Sequence, residues 1–195
     1  ALVIGAEQLS NLIDWKDRTT CILFGDGAGA VLLQAKEGKS YQPVSHSDGR
    51  GGPALTGPGV HGRVRSIDRD QGETKTEYIT MNGKDVFQFA VRKVPQVIQE
   101  VIELNTLSLE DVDWFVLHQA NARIVDAVAR RLHLEIDKFP MNLQEYGNTS
   151  SASIPILLNE LNKKGILKKG QRLVLAGFGA GLSWGASVLD WDLER

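Results

Sequence analysis

The sequence predicts an α/β layered protein, and three observations predict it. Downstream of residue 82, stretches with a helical apolar period alternate with short aliphatic runs of strand length. The 195 residues are 42% hydrophobic and 24% charged, the balance of a folded globular chain rather than a disordered one. Two distant stretches also echo one another. Leu2-Val3-Ile4-Gly5 resembles Val174-Leu175-Ala176-Gly177, and Gly29-Ala30-Val31-Leu32-Leu33 resembles Gly185-Ala186-Ser187-Val188-Leu189. A duplication would make residues 1–35 the last strands of a first half, 36–79 a connecting segment and 80–195 a second half.

The elements follow in order. Ala1-Leu2-Val3-Ile4-Gly5-Ala6 reads as a buried strand. It opens without Met and without a charged leader, so we read the chain as part of a longer protein and not as one bearing a signal peptide. Thr20-Cys21-Ile22-Leu23-Phe24, then a glycine cluster, then Val31-Leu32-Leu33 predict a bent strand or hairpin. Residues 36–66 are rich in Gly, Ser, Pro and charge and predict a long surface connection, either a domain linker or a functional loop. Val86, Phe87, Ala90, Val91, Val94, Val97, Ile98, Val101 and Ile102 mark one helix face, and Pro95 within it predicts a kink or a break.

Ser108 followed by Asp111 predicts a short capped helix. Residues 114–117 predict a buried strand ending at His118, 122–132 a helix, and 139–143 a further strand. Residues 149–164 predict a helix with Gly165 as C-cap. Residues 172–178 and 184–193 predict strands joined by a Gly179-Ala180-Gly181 turn.

Composition excludes several classes. A net charge of −2 gives no global electrostatic case for nucleic acid or a membrane surface. No apolar run approaches the roughly 18 residues that a membrane span requires. The single cysteine excludes an internal disulfide framework and any Cys-rich metal site, and fits a reducing compartment. Cys21, between Thr20 and Ile22 with no base nearby in sequence, reads as a core thiol in a strand. Gly25-Asp26-Gly27-Ala28-Gly29 lacks the following helix that would hold a dinucleotide pyrophosphate. Close backbone packing is the plain reading of both glycine clusters. For residues 177–181 the sharper reading is exposed amides that donate to an oxyanion.

The chemistry concentrates in two loops. His118 ends a strand, the edge where α/β sheets build their sites. Asn121 and Arg123 follow within six positions. The alternative is a structural histidine bonded to backbone. His46, His61 and His133 lack such a setting, and no second His or Cys stands at ligand spacing for a metal. Gly147-Asn148-Thr149-Ser150-Ser151-Ala152-Ser153 precedes an apolar helix, where N-capping is the plain reading. If the element order holds, His118 and Asn148 share one sheet edge.

Three motifs together resemble β-ketoacyl-acyl-carrier-protein synthase III: Leu117-His118-Gln119-Ala120-Asn121-Ala122-Arg123-Ile124, Tyr146-Gly147-Asn148-Thr149-Ser150-Ser151-Ala152-Ser153 and Gly177-Phe178-Gly179-Ala180-Gly181-Leu182-Ser183-Trp184-Gly185. The stretches around Phe24-Gly25-Asp26-Gly27 and Met81-Asn82-Gly83 match as well. The resemblance implies a thiolase-like fold of two similar halves in five layers. It also implies the condensation that starts type II fatty acid synthesis: an acyl-CoA primer loads onto a Cys, and malonyl-acyl-carrier protein loses CO2 and attacks the thioester. His118 and Asn148 match the catalytic His and Asn, neutral donors to an enolate. The nucleophilic Cys would lie upstream of Ala1, so the chain would need its own N-terminal segment to condense anything.

By the same resemblance Ala180 supplies an oxyanion-hole amide. Arg18, Phe87, Ala120, Asn121 and Phe178 match CoA or substrate positions, and Gln119 and Arg123 match carrier-protein positions. Arg130 and Arg131 would widen that basic patch or form a solvated helix face. Lys84 departs from the small polar residue expected there. The family further implies a cytoplasmic homodimer with no metal and no cofactor, acyl-CoA being a substrate. The alternatives are a related thiolase-fold acyl-CoA or polyketide condensing enzyme, and a non-catalytic fragment.

Overall fold

The computed structural model describes residues 1–35, 37–58 and 78–193. Strands β1 (Leu2–Glu7) and β2 (Gly27–Leu32) pair antiparallel with Gly5 opposite Gly29. The main sheet uses β3 (Val44–Ser47), β6 (Trp114–Leu117), β7 (Arg172–Gly179) and β8 (Ser183–Asp190) in the order β3-β8-β7-β6. Its β6–β7 pair is parallel and the other pairs are antiparallel. A small third sheet pairs β4 (Leu55–Thr56) with β5 (Thr80–Met81). The helices are α1 (Gly83–Leu104), α2 (Ala122–Arg131), α3 (Leu143–Tyr146) and α4 (Ser153–Lys163). The last three form the crossover that a parallel β6–β7 pair requires.

Strand alternation sorts the core into layers. Phe115, Leu117, Val174, Ala176, Ala186 and Val188 face α1 and α2. Val116, Leu173, Leu175 and Leu189 face the other way, toward Leu157, Leu158 and Leu161 of α4. Helices therefore cover both faces of the main sheet. The far side of α4 meets the β1–β2 pair, where an added Cβ at Gly29 would lie 2.6 Å from Pro155 Cβ. The remaining face of that pair carries Leu2, Ile4 and Leu32, all exposed. Among the described residues no helix is long and apolar enough to cross a membrane.

α1 runs through Pro95 as one helix, so of the expected kink or break the break does not occur. The proline loses one helical hydrogen bond, but Val94, Val97, Ile98 and Val101 around it are fully buried. At about 1.5–3 kcal/mol for each buried aliphatic side chain, this packing outweighs the lost bond.

Residues 20–23 form turns, not a strand, and Phe24 makes only an isolated bridge to Asn148. The Asp17 carboxylate accepts from Thr19 N (2.9 Å), Thr19 Oγ1 (2.6 Å) and Thr20 Oγ1 (3.0 Å), which winds the chain locally. Cys21 thus lies in a turn, half-buried against a small cluster that includes Leu9, Ile13 and Ile79. Residues 139–143 also form no strand. Phe139 instead stacks on Phe115 with ring centroids 4.9 Å apart, pinning the irregular segment ahead of α3.

The connection expected over residues 36–66 is partly structured: β3 becomes an edge strand, and a 3-10 turn (Gly49–Ala54) leads into β4. Residue 36 and residues 59–66 of that segment, His61 among them, lie outside the described residues. Two boundaries also move. A 3-10 turn (Ser150–Ala152) precedes α4, and β8 ends at Asp190.

Candidate active site

His118 is held by the sheet. Its backbone N–H donates to Ala176 O (2.8 Å), continuing the β6–β7 ladder one residue past the strand. Its Nδ1 lies 2.7 Å from Ser153 Oγ, at the start of α4, and Phe178 meets the ring edge-on at 5.2 Å. Protein surrounds the imidazole except where it opens onto a cavity. Desolvation of the charged form lowers its pKa from 6.5 to about 4, so the ring is neutral at pH 7.

Asn148 is placed by a turn. Gly147 has φ +67°, a left-handed conformation that ends α3 and suits glycine. The Asn148 backbone then bridges residues 23–25, its N–H donating to Leu23 O (2.8 Å) and its carbonyl accepting from Gly25 N (2.9 Å). An added Cβ at Gly25 would sit 2.1 Å from Tyr146 O, so the first glycine cluster is close backbone packing that lets the two segments meet. In the side chain, Asn148 Oδ1 accepts from Ser150 N (2.9 Å). The acceptor end is thus occupied by backbone, while the donor end is the one left for a ligand.

His118, Asn148, Phe24, Leu55, Phe178 and Gly179 line two adjoining cavities of about 400 Å³ and 580 Å³. The first is walled by Leu9, Ile79 and Ile154 and reaches Gly177, Gly179 and Ala180. Among the described residues nothing lies within 4 Å of where a Cβ at Gly177 or Gly179 would stand, so these two glycines leave open space beside the histidine. The second cavity is lined by Thr19, Lys84, Phe87, Ala120, Asn121 and Arg123. The Arg123 guanidinium lies over the Phe87 ring at 5.4 Å, and Asn121 Oδ1 accepts from Arg123 N (2.9 Å) to cap α2.

The structure therefore gathers His118, Asn148, Ala180, Phe87, Ala120, Asn121, Phe178 and Arg123 around one connected space. Arg18 is exposed beside Thr19 and does not line it. Arg130 pairs with Asp126 on the α2 surface, and Arg131 lines a separate groove with Arg50, Arg92 and Lys93. Gln119 is a correction. It is 1% exposed, its amide donating to Leu117 O (2.8 Å) and accepting from Asn142 N (3.1 Å), so it cannot meet a carrier protein. Sequence reasoning missed Ser153 as a partner of His118, although it closes the Asn148 motif, and missed the aliphatic wall, which carries no sequence signal.

Two family models match the chain. "3-Oxoacyl-[acyl-carrier-protein (ACP)] synthase III" matches residues 1–49, and the model described as its C terminal matches residues 102–191. The chain belongs to the 3-oxoacyl-acyl-carrier-protein synthase III family. It is 47% identical to the beta-ketoacyl-acyl-carrier-protein synthase III of Clostridium acetobutylicum, over 98% of this chain and 58% of that protein. Among solved structures it resembles the synthase III of Thermus thermophilus, with a TM-score of 0.85 and 44% identity over 97% of this chain and 58% of that one. It also resembles the priming beta-ketosynthase of the R1128 polyketide pathway, with a TM-score of 0.88 and 32% identity over 98% of this chain and 57% of that one. The chain thus spans a little under three-fifths of the length of these relatives. Its architecture is the thiolase-like α/β fold of the family.

Proposed function

We propose that this chain supplies the enolate-stabilising part of a condensing enzyme that joins an acyl-CoA primer to malonyl-acyl-carrier protein, the first carbon–carbon bond of type II fatty acid synthesis. One observation carries the reading. Two neutral side chains whose acceptor or second polar atoms are already engaged, His118 through Nδ1 and Asn148 through Oδ1, border the space where two cavities meet.

The nucleophile is a cysteine from outside these 195 residues, since Cys21 lines neither cavity. Its thiolate attacks the acyl-CoA carbonyl, the Ala180 N–H holds the oxyanion, and CoA leaves as a thiolate. The malonyl group then loses CO2. The electron pair of the broken C–C bond passes into the thioester enolate, whose oxygen His118 Nε2–H and Asn148 Nδ2–H hold. The enolate carbon attacks the acyl thioester and expels the cysteine thiolate, leaving a β-ketoacyl-carrier protein. A neutral imidazole suits this role, because a donor with a fixed proton stabilises charge as it develops without giving the proton up.

The cavity beside Phe87, Asn121 and Arg123 takes the pantetheine arm, and Arg123 at its mouth receives the acidic carrier protein. The identical register of the two hairpins supports the reading of residues 1–35 and 80–195 as parts of two related halves: Leu2 faces Leu32 and Gly5 faces Gly29, as Val174 faces Val188 and Gly177 faces Gly185. The protein acts in the cytoplasm as a homodimer.

In the whole protein, His118→Ala is expected to form the acyl-cysteine, seen by mass spectrometry after incubation with acetyl-CoA. Malonyl decarboxylation should slow by about 10²–10³-fold. Lost acylation with intact decarboxylation would overturn the assignment. The likeness to a priming polyketide ketosynthase favours a second reading with the same chemistry. Turnover with a fatty acid carrier protein against a polyketide carrier protein separates the two.

A further inference from the structure

The structure assigns Ser153 a role no motif gave it: it is a positioning residue that fixes His118 as the Nε2–H tautomer. The inference deepens the proposed function and rests on it, because only that tautomer turns a donor toward the substrate. Ser153 is 2% exposed, and its Oγ lies 2.7 Å from His118 Nδ1 and 3.3 Å from Gln119 N. A backbone N–H can only donate, so Oγ accepts from Gln119.

The hydroxyl has one proton to give. Among the described residues its only other partner is His118 Nδ1. If Nδ1 carried the imidazole proton, Oγ would accept twice and its own proton would have no acceptor among the described residues, at a side chain that is 2% exposed on the wall of the first cavity, which is costly. The proton order is therefore Gln119 N–H to Ser153 Oγ, then Ser153 O–H to His118 Nδ1. The single imidazole proton is left on Nε2, on the opposite edge of a ring that lines both cavities.

The geometry is rigid at both ends. Ser153 is the first residue of α4. Gln119 is fixed by its side-chain bonds to Leu117 O and Asn142 N. The glutamine thus acts through the serine, which explains a buried amide directly after the histidine.

The test is a long-range ¹H–¹⁵N spectrum of the whole protein labelled at histidine. The expected His118 signature is a pyridine-type Nδ1 and a protonated, pyrrole-type Nε2 at pH 7. A protonated Nδ1 overturns the inference, and no variant is needed to see it. Ser153→Ala should give a mixture of tautomers and slow malonyl decarboxylation about tenfold, the worth of one such hydrogen bond. Ser153→Thr, which keeps the hydroxyl, should restore the spectrum. A Ser153→Ala protein with unchanged spectrum and unchanged decarboxylation also overturns it. If the tautomer is as assigned but His118→Ala leaves decarboxylation intact, the proposed function fails while the assignment of Ser153 stands.

Discussion

At pH 7 the His118 imidazole is neutral in the folded chain and mostly neutral in the unfolded one, so its burial costs little there. Below pH 6.5 the unfolded chain takes up a proton that the folded site, with its pKa near 4, refuses. The unfolded state then binds more protons, and stability falls with falling pH. By linkage this one group should remove about 2 kcal/mol between pH 7.5 and pH 5. Urea midpoints at the two pH values should therefore separate further in wild type than in His118→Gln. Equal separations would mean a solvated ring. His118 and Asn148 are legible in the sequence because each stands in a motif of polar residues at a predicted element boundary. Gln119 is not, because its polar neighbours Asn121 and Arg123 suggest a surface. Carrying the strand alternation two residues past Leu117 puts Gln119 on the face of Phe115 and Leu117, inside the core.

Elements whose apolar period fills a whole face are legible: α1, α2, β6, β7 and β8 all exist and are of the type the pattern predicts, although β8 is shorter than expected and α1 does not break at Pro95. Short apolar runs mislead. Residues 20–24 and 139–143 are shaped by turns and by a single stacked phenylalanine, and a handful of apolar residues cannot distinguish that from a strand. The glycines can be tested by contrast. At Gly25 a methyl group would collide with the carbonyl of Tyr146, whereas at Gly177 it would meet none of the described residues. Gly25→Ala should destabilise the protein by about 1–3 kcal/mol, as overpacking does, and Gly177→Ala by less than about 1 kcal/mol. Chemical denaturation of the two variants checks this. Similar losses would mean that the first cluster is not a contact between backbones.

At the scale of the molecule, helices on both faces of a sheet follow from the alternation after residue 82. The strand β3 does not, because Val44–Ser47 sits in a Gly- and Ser-rich stretch and owes its conformation to pairing with β8, which lies near the far end of the chain. No local pattern encodes such a partner. The β1–β2 pair turns Gly5, Gly27 and Gly29 inward, against the Asn148 loop and α4, and sends Leu2, Ile4 and Leu32 into solvent. A greasy ribbon of this kind is sticky. Expressed by itself, the 195-residue polypeptide should bind a hydrophobic dye and sediment as assemblies that disperse when Ile4→Lys is introduced. A clear monomer with a silent dye would mean that the ribbon is shielded, and crude yield would then be no guide to whether the catalytic pair has folded.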